Sequence, residues 1–262
     1  MNVVFLGGGR ITSALLAGFQ LAKTKHRLIV HDRNDSKLRM LRKRYGVSVE
    51  SNLQRAVMQA ELLLIAVRPG SVKELLRTIG DVSRRILVVS LAAGIPLRAL
   101  TRTLGGRARW ARAMPSPVCR SARGLTALAF PRALPERDRR RVRDLFSAVG
   151  PIVEIPESRF DAFTVTYSCT HGYHALATLV DAAQNAGLDQ KTALLAGAHA
   201  LADGIVAWRD GEQSLEALFE EALTPGGTSF SAVSAMDAAG YRQVIRKGMA
   251  AGLRRARAGA RL

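Results

Sequence analysis

The stretch that most constrains this chain is its opening. Val3-Val4-Phe5-Leu6 runs straight into Gly7-Gly8-Gly9, and Arg10-Ile11-Thr12-Ser13-Ala14 then reads as the start of a helix. An apolar run this short fits a buried strand, not a buried helix. A glycine turn between such a strand and a helix is the context a dinucleotide fingerprint requires. Gly7 permits the tight turn and Gly9 lets backbone approach a pyrophosphate, whose charge the first amides and the dipole of the helix stabilise. The third small position falls on Thr12, so the pattern is G-x-G-x-x-T. Simple tight packing of a strand on a helix produces the same glycines, so the motif needs support from elsewhere.

That support comes from a second short strand, Arg27 to Arg33, which carries Asp32 about 20 residues past the turn, where an acid that meets a ribose hydroxyl is expected. Arg33 follows it, and a guanidinium there can stack on adenine or pair with a 2′-phosphate, which leaves both NADH and NADPH open. Asp32 and Arg33 also read as a polar cap ahead of a helix that Asn34, Asp35 or Ser36 would start. Leu62 to Val67 and Ile86 to Leu91 are further continuous apolar runs, stopped by Arg68-Pro69-Gly70 and by Ala92-Ala93-Gly94. Such runs are strands buried on both faces, and the helical stretches between them make the strand-helix-strand units of a parallel sheet. Ligands of such sheets lie at the carboxyl edge, where these turns fall.

Composition narrows the function classes. A chain of 262 residues that is 48% hydrophobic and 23% charged builds a globular core. No apolar run reaches the length of a transmembrane helix, and the first strand follows Met1-Asn2 directly, so a cytoplasmic protein with no membrane role is expected. Two cysteines, Cys119 and Cys169, indicate neither a disulfide framework nor a paired-cysteine zinc site. The net charge of +18 comes mostly from arginines spread along the chain. With aromatics at only 5% and no helix-turn-helix or zinc-finger spacing, nucleic acid is not the expected partner. Solvated basic faces and a field favouring phosphate and carboxylate ligands are expected instead.

Farther along, Arg112-Ala113-Met114-Pro115 leads into Gly124 to Phe130, Pro131 and Pro135 frame a charged helix, and Gly150-Pro151 and Pro156 punctuate the chain where the strand pattern stops. Two domains are expected, 1–154 and 155–262. The second reads as helical, roughly over Phe160 to Ala186, Gln190 to Trp208, Leu215 to Ala222, Phe230 to Ala238 and Gly240 to Arg257. Its small residues allow close helix contacts, and a bundle of this kind often buries apolar faces against a second subunit. Between two of its helices, Thr224-Pro225-Gly226-Gly227-Thr228-Ser229 presents backbone amides with hydroxyls on either side, which suits a carboxylate or an ordinary capped helix start.

Taken together, the F-L-G-G-G opening, Asn52, the A-V-R-P of Ala66 to Pro69, the S-L-A-A-G of Ser90 to Gly94, the R-A-M-P of Arg112 to Pro115 and the T-P-G-G-T-S of Thr224 to Ser229 resemble pyrroline-5-carboxylate reductase over nearly the whole length. The resemblance implies an N-terminal Rossmann-type parallel sheet domain followed by an all-α dimerisation domain. It also implies an active site between the domains, completed across a homodimer, in an enzyme of proline biosynthesis that transfers hydride from NADPH or NADH to a cyclic imino acid. On that resemblance Gly7, Gly8, Gly9, Arg10 and Ile11 meet the pyrophosphate, and Asp32, Arg33 and Asn52 the adenosine end. Ala66, Val67, Arg68, Pro69, Ala92, Ala93 and Gly94 serve the nicotinamide half. Thr224, Gly226, Gly227, Thr228 and Ser229 hold the substrate carboxylate, Ser229 hydrogen-bonds the ring nitrogen, and Met114 and Tyr173 line the substrate pocket. Hydride transfer to a protonated C=N bond asks mainly for alignment, which fits the absence of a Ser-His-Asp or paired-carboxylate set.

Two blocks depart from the family pattern. Ser116-Pro117-Val118-Cys119-Arg120 stands where N-T-P-A usually follows, and Thr166-Tyr167-Ser168-Cys169-Thr170-His171-Gly172-Tyr173 replaces a small-residue segment of the type S-G-S-G-P-A-Y, keeping only Tyr173. Tyr167, Cys169 and His171 would change the size and polarity of the pocket. They motivate two alternatives: a reductase of a different cyclic imine, or a catalytically silent nucleotide-binding relative. His171 is in range to protonate an imine nitrogen. Cys169, His171 and His174 do not make a metal site, because on a helix only the last two share a face.

Overall fold

The computed structural model describes residues 1–258. Strands and helices alternate through the first part of the chain as β1 (Asn2–Leu6), α1 (Arg10–Leu21), β2 (Arg27–His31), α2 (Asp35–Tyr45), β3 (Ser48–Val49), α3 (Leu53–Gln59), β4 (Leu62–Ile65), α4 (Pro69–Ile79), β5 (Ile86–Ser90) and α5 (Leu97–Leu100). β6 (Ala108–Pro115), β7 (Thr126–Ala129), α6 (Glu136–Ser147), β8 (Ile152–Glu154) and α7 (Glu157–Thr166) follow. The eight strands form one sheet in the order β3-β2-β1-β4-β5-β6-β7-β8. All pairings are parallel except β6 with β7. The order reverses between β1 and β4, so the crevice beyond the carboxyl ends of these two strands is where a ligand of an open α/β sheet binds.

Strand alternation sorts the apolar runs into two cores. Val3, Phe5, Leu62, Leu64, Leu87 and Val89 pack on one face with α1, α2 and α6. Val4, Leu6, Leu63, Ile65, Ile86 and Val88 pack on the other with α3, α4 and α5. Each such aliphatic side chain contributes about 1.5–3 kcal/mol by leaving water, so both faces of the central strands are committed and a one-residue slip is excluded. Cys119 is fully buried beside α1, and burial pushes its thiol up to about 12.

β6, β7 and β8 are not legible as strands in the sequence, because Arg109 and Arg112 interrupt one apolar run and the others are only three or four residues long. The charged helix starts at Glu136 with Pro135 as its N-cap, so both prolines precede it.

The chain divides into two compact units, one of residues 1–167 with the last turns of the C-terminal helix from Gly252, the other Ser168–Ala251. α7 packs in the first of these, where Phe160 is buried against Ala127 and Ala129 of β7. The second unit holds α8 (Cys169–Asn185), α9 (Gln190–Asp210), α10 (Leu215–Ala222), α11 (Thr228–Ala238) and most of α12 (Tyr241–Ala258). A single helix over Phe160 to Ala186 does not form. The chain breaks at Tyr167, with ψ 63°, and Ser168, in extended conformation, takes the N-cap position of α8 with its hydroxyl on Thr170 Oγ1 and no side-chain bond to a helix amide. The β-branched and aromatic run Phe163-Thr164-Val165-Thr166-Tyr167 ahead of a serine favours such a stop. Among the described residues of α8 to α12, only Ala193 and Gly197 of α9 are buried. Leu194, Leu195, Ile205, Trp208, Phe219 and Tyr241 are exposed. Among the described residues no helix is long and apolar enough to cross a membrane, and no group of His, Cys, Asp and Glu is arranged to hold a metal.

Candidate functional site

The glycine turn is held by hydrogen bonds and close contacts at Gly7 and Gly8. Gly7 has φ +113°, its amide donates to the His31 carbonyl at 2.8 Å, and a Cβ there would lie 2.7 Å from the Ala66 carbonyl oxygen. The Gly8 amide donates to Asp32 Oδ2 at 2.8 Å, and a Cβ on Gly8 would strike Leu41. Thr12, in the third fingerprint position, is buried and donates its hydroxyl to the Gly7 carbonyl at 2.5 Å. A threonine therefore serves where glycine is usual, because it ties the turn to α1.

Gly9 differs from both. A Cβ there would meet open space, and Gly9 is the N-cap of α1 with no side-chain capping bond. The first amides of α1 thus face outward without a capping partner, which is the anion site that helix termini provide. They open into a cavity of about 770 Å³ whose lining includes Gly7, Gly9, Arg10, Ile11, Asp32, Arg33, Ala66, Val67 and Arg68. That volume lies in the range of roughly 300–1,000 Å³ usual for cofactor and small-molecule sites. A pyrophosphate-bearing dinucleotide fits these residues by the chemistry of the turn, the uncapped amides and the surrounding arginines.

Other expected positions lie off this lining. Gly8 is occupied with Asp32, Pro69 is the first residue of α4, and Asn52 caps α3 by accepting the Arg55 amide at 2.9 Å. Ala92, Ala93 and Gly94 form the turn after β5, where the Ala92 amide donates to Ser90 Oγ at 3.3 Å. Gly94 has φ +74°, and a Cβ on it would overlap the Ala256 carbonyl in the last turn of α12. Sequence reasoning missed the opposite wall, where α4 turns Ser71, Glu74, Leu75 and Thr78 to the cavity. Their i, i+3, i+4, i+7 spacing is the signal that could have found them.

Deeper in the sheet, Arg112 of β6 is 1% exposed. Its guanidinium reaches Glu157 Oε1 at 3.2 Å and Asp161 Oδ1 at 3.4 Å and lies 4.1 Å from the Phe160 ring centroid. Met114, two residues on, is half-buried against the Ala127, Ala129 and Phe160 cluster.

In the second unit, Gly226 takes φ +78° and the Gly227 amide donates to the Thr224 carbonyl at 2.9 Å. Gly227 is the N-cap of α11, again with no side-chain cap, so Thr228 and Ser229 open the helix with their amides outward. The start of α11 therefore repeats the uncapped glycine arrangement of α1.

Two family models match the chain, one described as NADP oxidoreductase coenzyme F420-dependent over residues 2–94, the other as pyrroline-5-carboxylate reductase dimerisation over residues 157–259. The pyrroline-5-carboxylate reductase of Synechocystis sp. is 29% identical over 254 residues, covering 95% of each chain. Human pyrroline-5-carboxylate reductase 2 is 28% identical over 255 residues, 94% of this chain and 79% of that one. The chain is thus similar to pyrroline-5-carboxylate reductases over nearly its whole length. Its fold is likewise that of the Streptococcus pyogenes enzyme, with a TM-score of 0.91 at 22% identity over 98% of both chains. The Plasmodium falciparum reductase, solved with NADP bound, gives 0.88 at 19% identity over 100% of this chain and 98% of that one.

Against that family background, the block Thr166 to Tyr173 coincides with the break between α7 and α8. Tyr167 ends α7 with its ring 5.3 Å from that of Phe163. Cys169 is half-buried at the start of α8, the His171 amide donates to the Ser168 carbonyl at 3.0 Å, and Tyr173 is 65% exposed. The other block, Ser116 to Arg120, forms a short 3-10 turn in which Ser116 caps the Val118 amide, and it packs against α1.

Proposed function

We propose that this protein reduces 1-pyrroline-5-carboxylate to L-proline with NADH or NADPH, as a homodimer. The observation that carries the reading is the locked glycine turn, which aims the uncapped amides of α1 into the cavity, in a chain whose relatives bear that activity in their names. These residues would hold a reduced nicotinamide, whose chemistry would be a hydride for the carbon of a C=N bond with the protonated nitrogen taking the π pair. The protein's part is alignment. Gly9, Arg10 and Ile11 hold the pyrophosphate, and Val67, Arg68, Ala92 and Ala93 orient the nicotinamide half. The amides of Gly227, Thr228 and Ser229 and the Thr224 hydroxyl hold the substrate carboxylate, and the Ser229 hydroxyl hydrogen-bonds the ring nitrogen. His171 is the further side chain we assign to proton supply.

The test is turnover. With pyrroline-5-carboxylate and a panel of cyclic imines, the purified protein should oxidise NADH or NADPH fastest with the first compound and yield proline. The altered block Thr166 to Tyr173 favours a second reading, a differently sized imine; preference for another ring would replace the substrate, and dinucleotide binding with no turnover of any imine would end both.

The dimer rests on the helices of the second unit, which leave Leu195, Ile205, Trp208 and Phe219 exposed. The match of residues 157–259 to a model described as pyrroline-5-carboxylate reductase dimerisation supports the same reading. Light scattering after gel filtration should give at least twice the chain mass of 28.3 kDa. A single-chain mass would reject the assembly.

A further inference from the structure

We propose that the cavity selects NADH over NADPH, and that Asp32 is the residue that discriminates. The inference rests on reading the cavity as a cofactor site and adds the identity of the dinucleotide. Asp32 stands just past the carboxyl end of β2, and its side chain is 14% exposed. Its rotamer is held from both oxygens: Oδ2 accepts the Gly8 amide at 2.8 Å and Oδ1 the Asn34 amide at 2.9 Å. A carboxylate offers about four acceptor positions. Two amides leave capacity for a ribose 2′-hydroxyl, and they keep the negative charge in place while it binds.

A 2′-phosphate arriving at the same point brings up to two negative charges against a carboxylate that cannot swing away. The cations beside it do not offset this. Lys37 Nζ lies 3.8 Å from Asp32 Oδ2 itself, and Arg33 Nη1 lies 4.0 Å from Glu74 Oε1 across the cavity. Each already faces a carboxylate, and the other two cations of the lining, Arg10 and Arg68, stand at the starts of α1 and α4 and not beside Asp32 in the chain, so a 2′-phosphate would meet the acid with its nearest bases already paired. Arg33, whose side chain is 82% exposed, is placed to cover an adenine face instead.

The discriminating measurement is the binding of NAD+ and NADP+ to the full chain by calorimetry, with no imine present. NAD+ should bind roughly tenfold or more tighter, the scale of one like-charge contact at a partly screened site. Asp32→Asn keeps an oxygen for the Gly8 amide and removes the charge, so the NADP+ to NAD+ Kd ratio should fall at least about fivefold by the same reasoning. If Asp32 only braces the turn, the variant weakens both ligands in proportion and the ratio stays, which overturns the proposal. Arg33→Ala gives an independent arm: selective loss of NADP+ binding would show a phosphate clamp and likewise overturn it, whereas a NADP+ to NAD+ Kd ratio unchanged from that of the unmodified chain supports it. Equal or tighter binding of NADP+ to the unmodified chain rejects the selectivity and leaves the cofactor site standing. Failure of both dinucleotides to bind rejects the site itself.

Discussion

Gly18→Ala should cost this protein about 2–3 kcal/mol of stability, although helix propensity alone predicts the opposite sign. Gly18 lies inside α1, where alanine is favoured over glycine by about 1 kcal/mol. A Cβ at Gly18, however, would overlap the Cys119 carbonyl and sit 3.0 Å from Val149 Cγ1. The Cys119 contact is backbone, at the buried residue of the turn Pro117–Ser121 against which α1 packs, so it cannot yield by a rotamer change. Overpacking of this kind typically costs about 1–3 kcal/mol and more where backbone must move. The steric effect therefore wins, and it pushes on the helix whose first turn carries Gly9 and the outward amides. Urea unfolding should show the lowered midpoint, and dinucleotide affinity should fall with it. Gly70→Ala is the matched control: Gly70 is exposed in the first turn of α4, and a methyl group there would have nothing within 4 Å, so it should be neutral or slightly stabilising. Equal behaviour of the two variants would show that the α1 contact is looser than the backbone geometry requires.

The difference between those glycines marks how far the sequence can be read. Gly7 is legible because the strand before it and the helix after it leave one role for a glycine, and its φ of +113° fulfils that role. The central strands are legible because each is a continuous apolar run buried on both faces, and Asp32 because its distance from the turn is set by the length of one strand-helix-strand unit. Gly18 is not legible, since its constraint comes from a turn distant in the chain, and periodicity carries no information on what a helix face meets. The α4 wall of the cavity is hidden differently: Ser71, Glu74 and Thr78 are ordinary polar residues of an amphipathic helix until β1 and β4 fix which side of the sheet they face. The stop at Tyr167 and Ser168 is masked by the apolar stretch on either side, although serine as an N-cap is its local sign.

Arg112→Ala should lower stability by about 3 kcal/mol, a loss of Tm of roughly 6–12 °C for a chain of this size. The guanidinium is buried, yet its two carboxylate partners are not fully so: the side chains of Glu157 and Asp161 are 31% and 25% exposed. That exposure places the effect at the lower end of what breaking a buried pair costs. What is lost is a clamp of three contacts from one helix face, since Glu157, Phe160 and Asp161 stand at i, i+3 and i+4 of α7. Glu157 also accepts the Leu97 amide, so the same carboxylate ties the start of α5 to α7. Removing the cation leaves two like charges four residues apart beside a void and loosens β6, α5 and α7 together. Arg112→Met fills most of the volume and should recover only part of the loss, because the carboxylates stay unpaired. Adding Glu157→Gln and Asp161→Asn to that variant should recover most of the remainder, as replacement of a whole ion cluster is often close to neutral while removal of one partner is not. A calorimetric series of the single, the Met and the triple variants separates the two sources. If the triple variant is no more stable than Arg112→Met, uncompensated charge is not the cause, and the packing of Arg112 over the Phe160 ring carries the stability of this corner of the sheet.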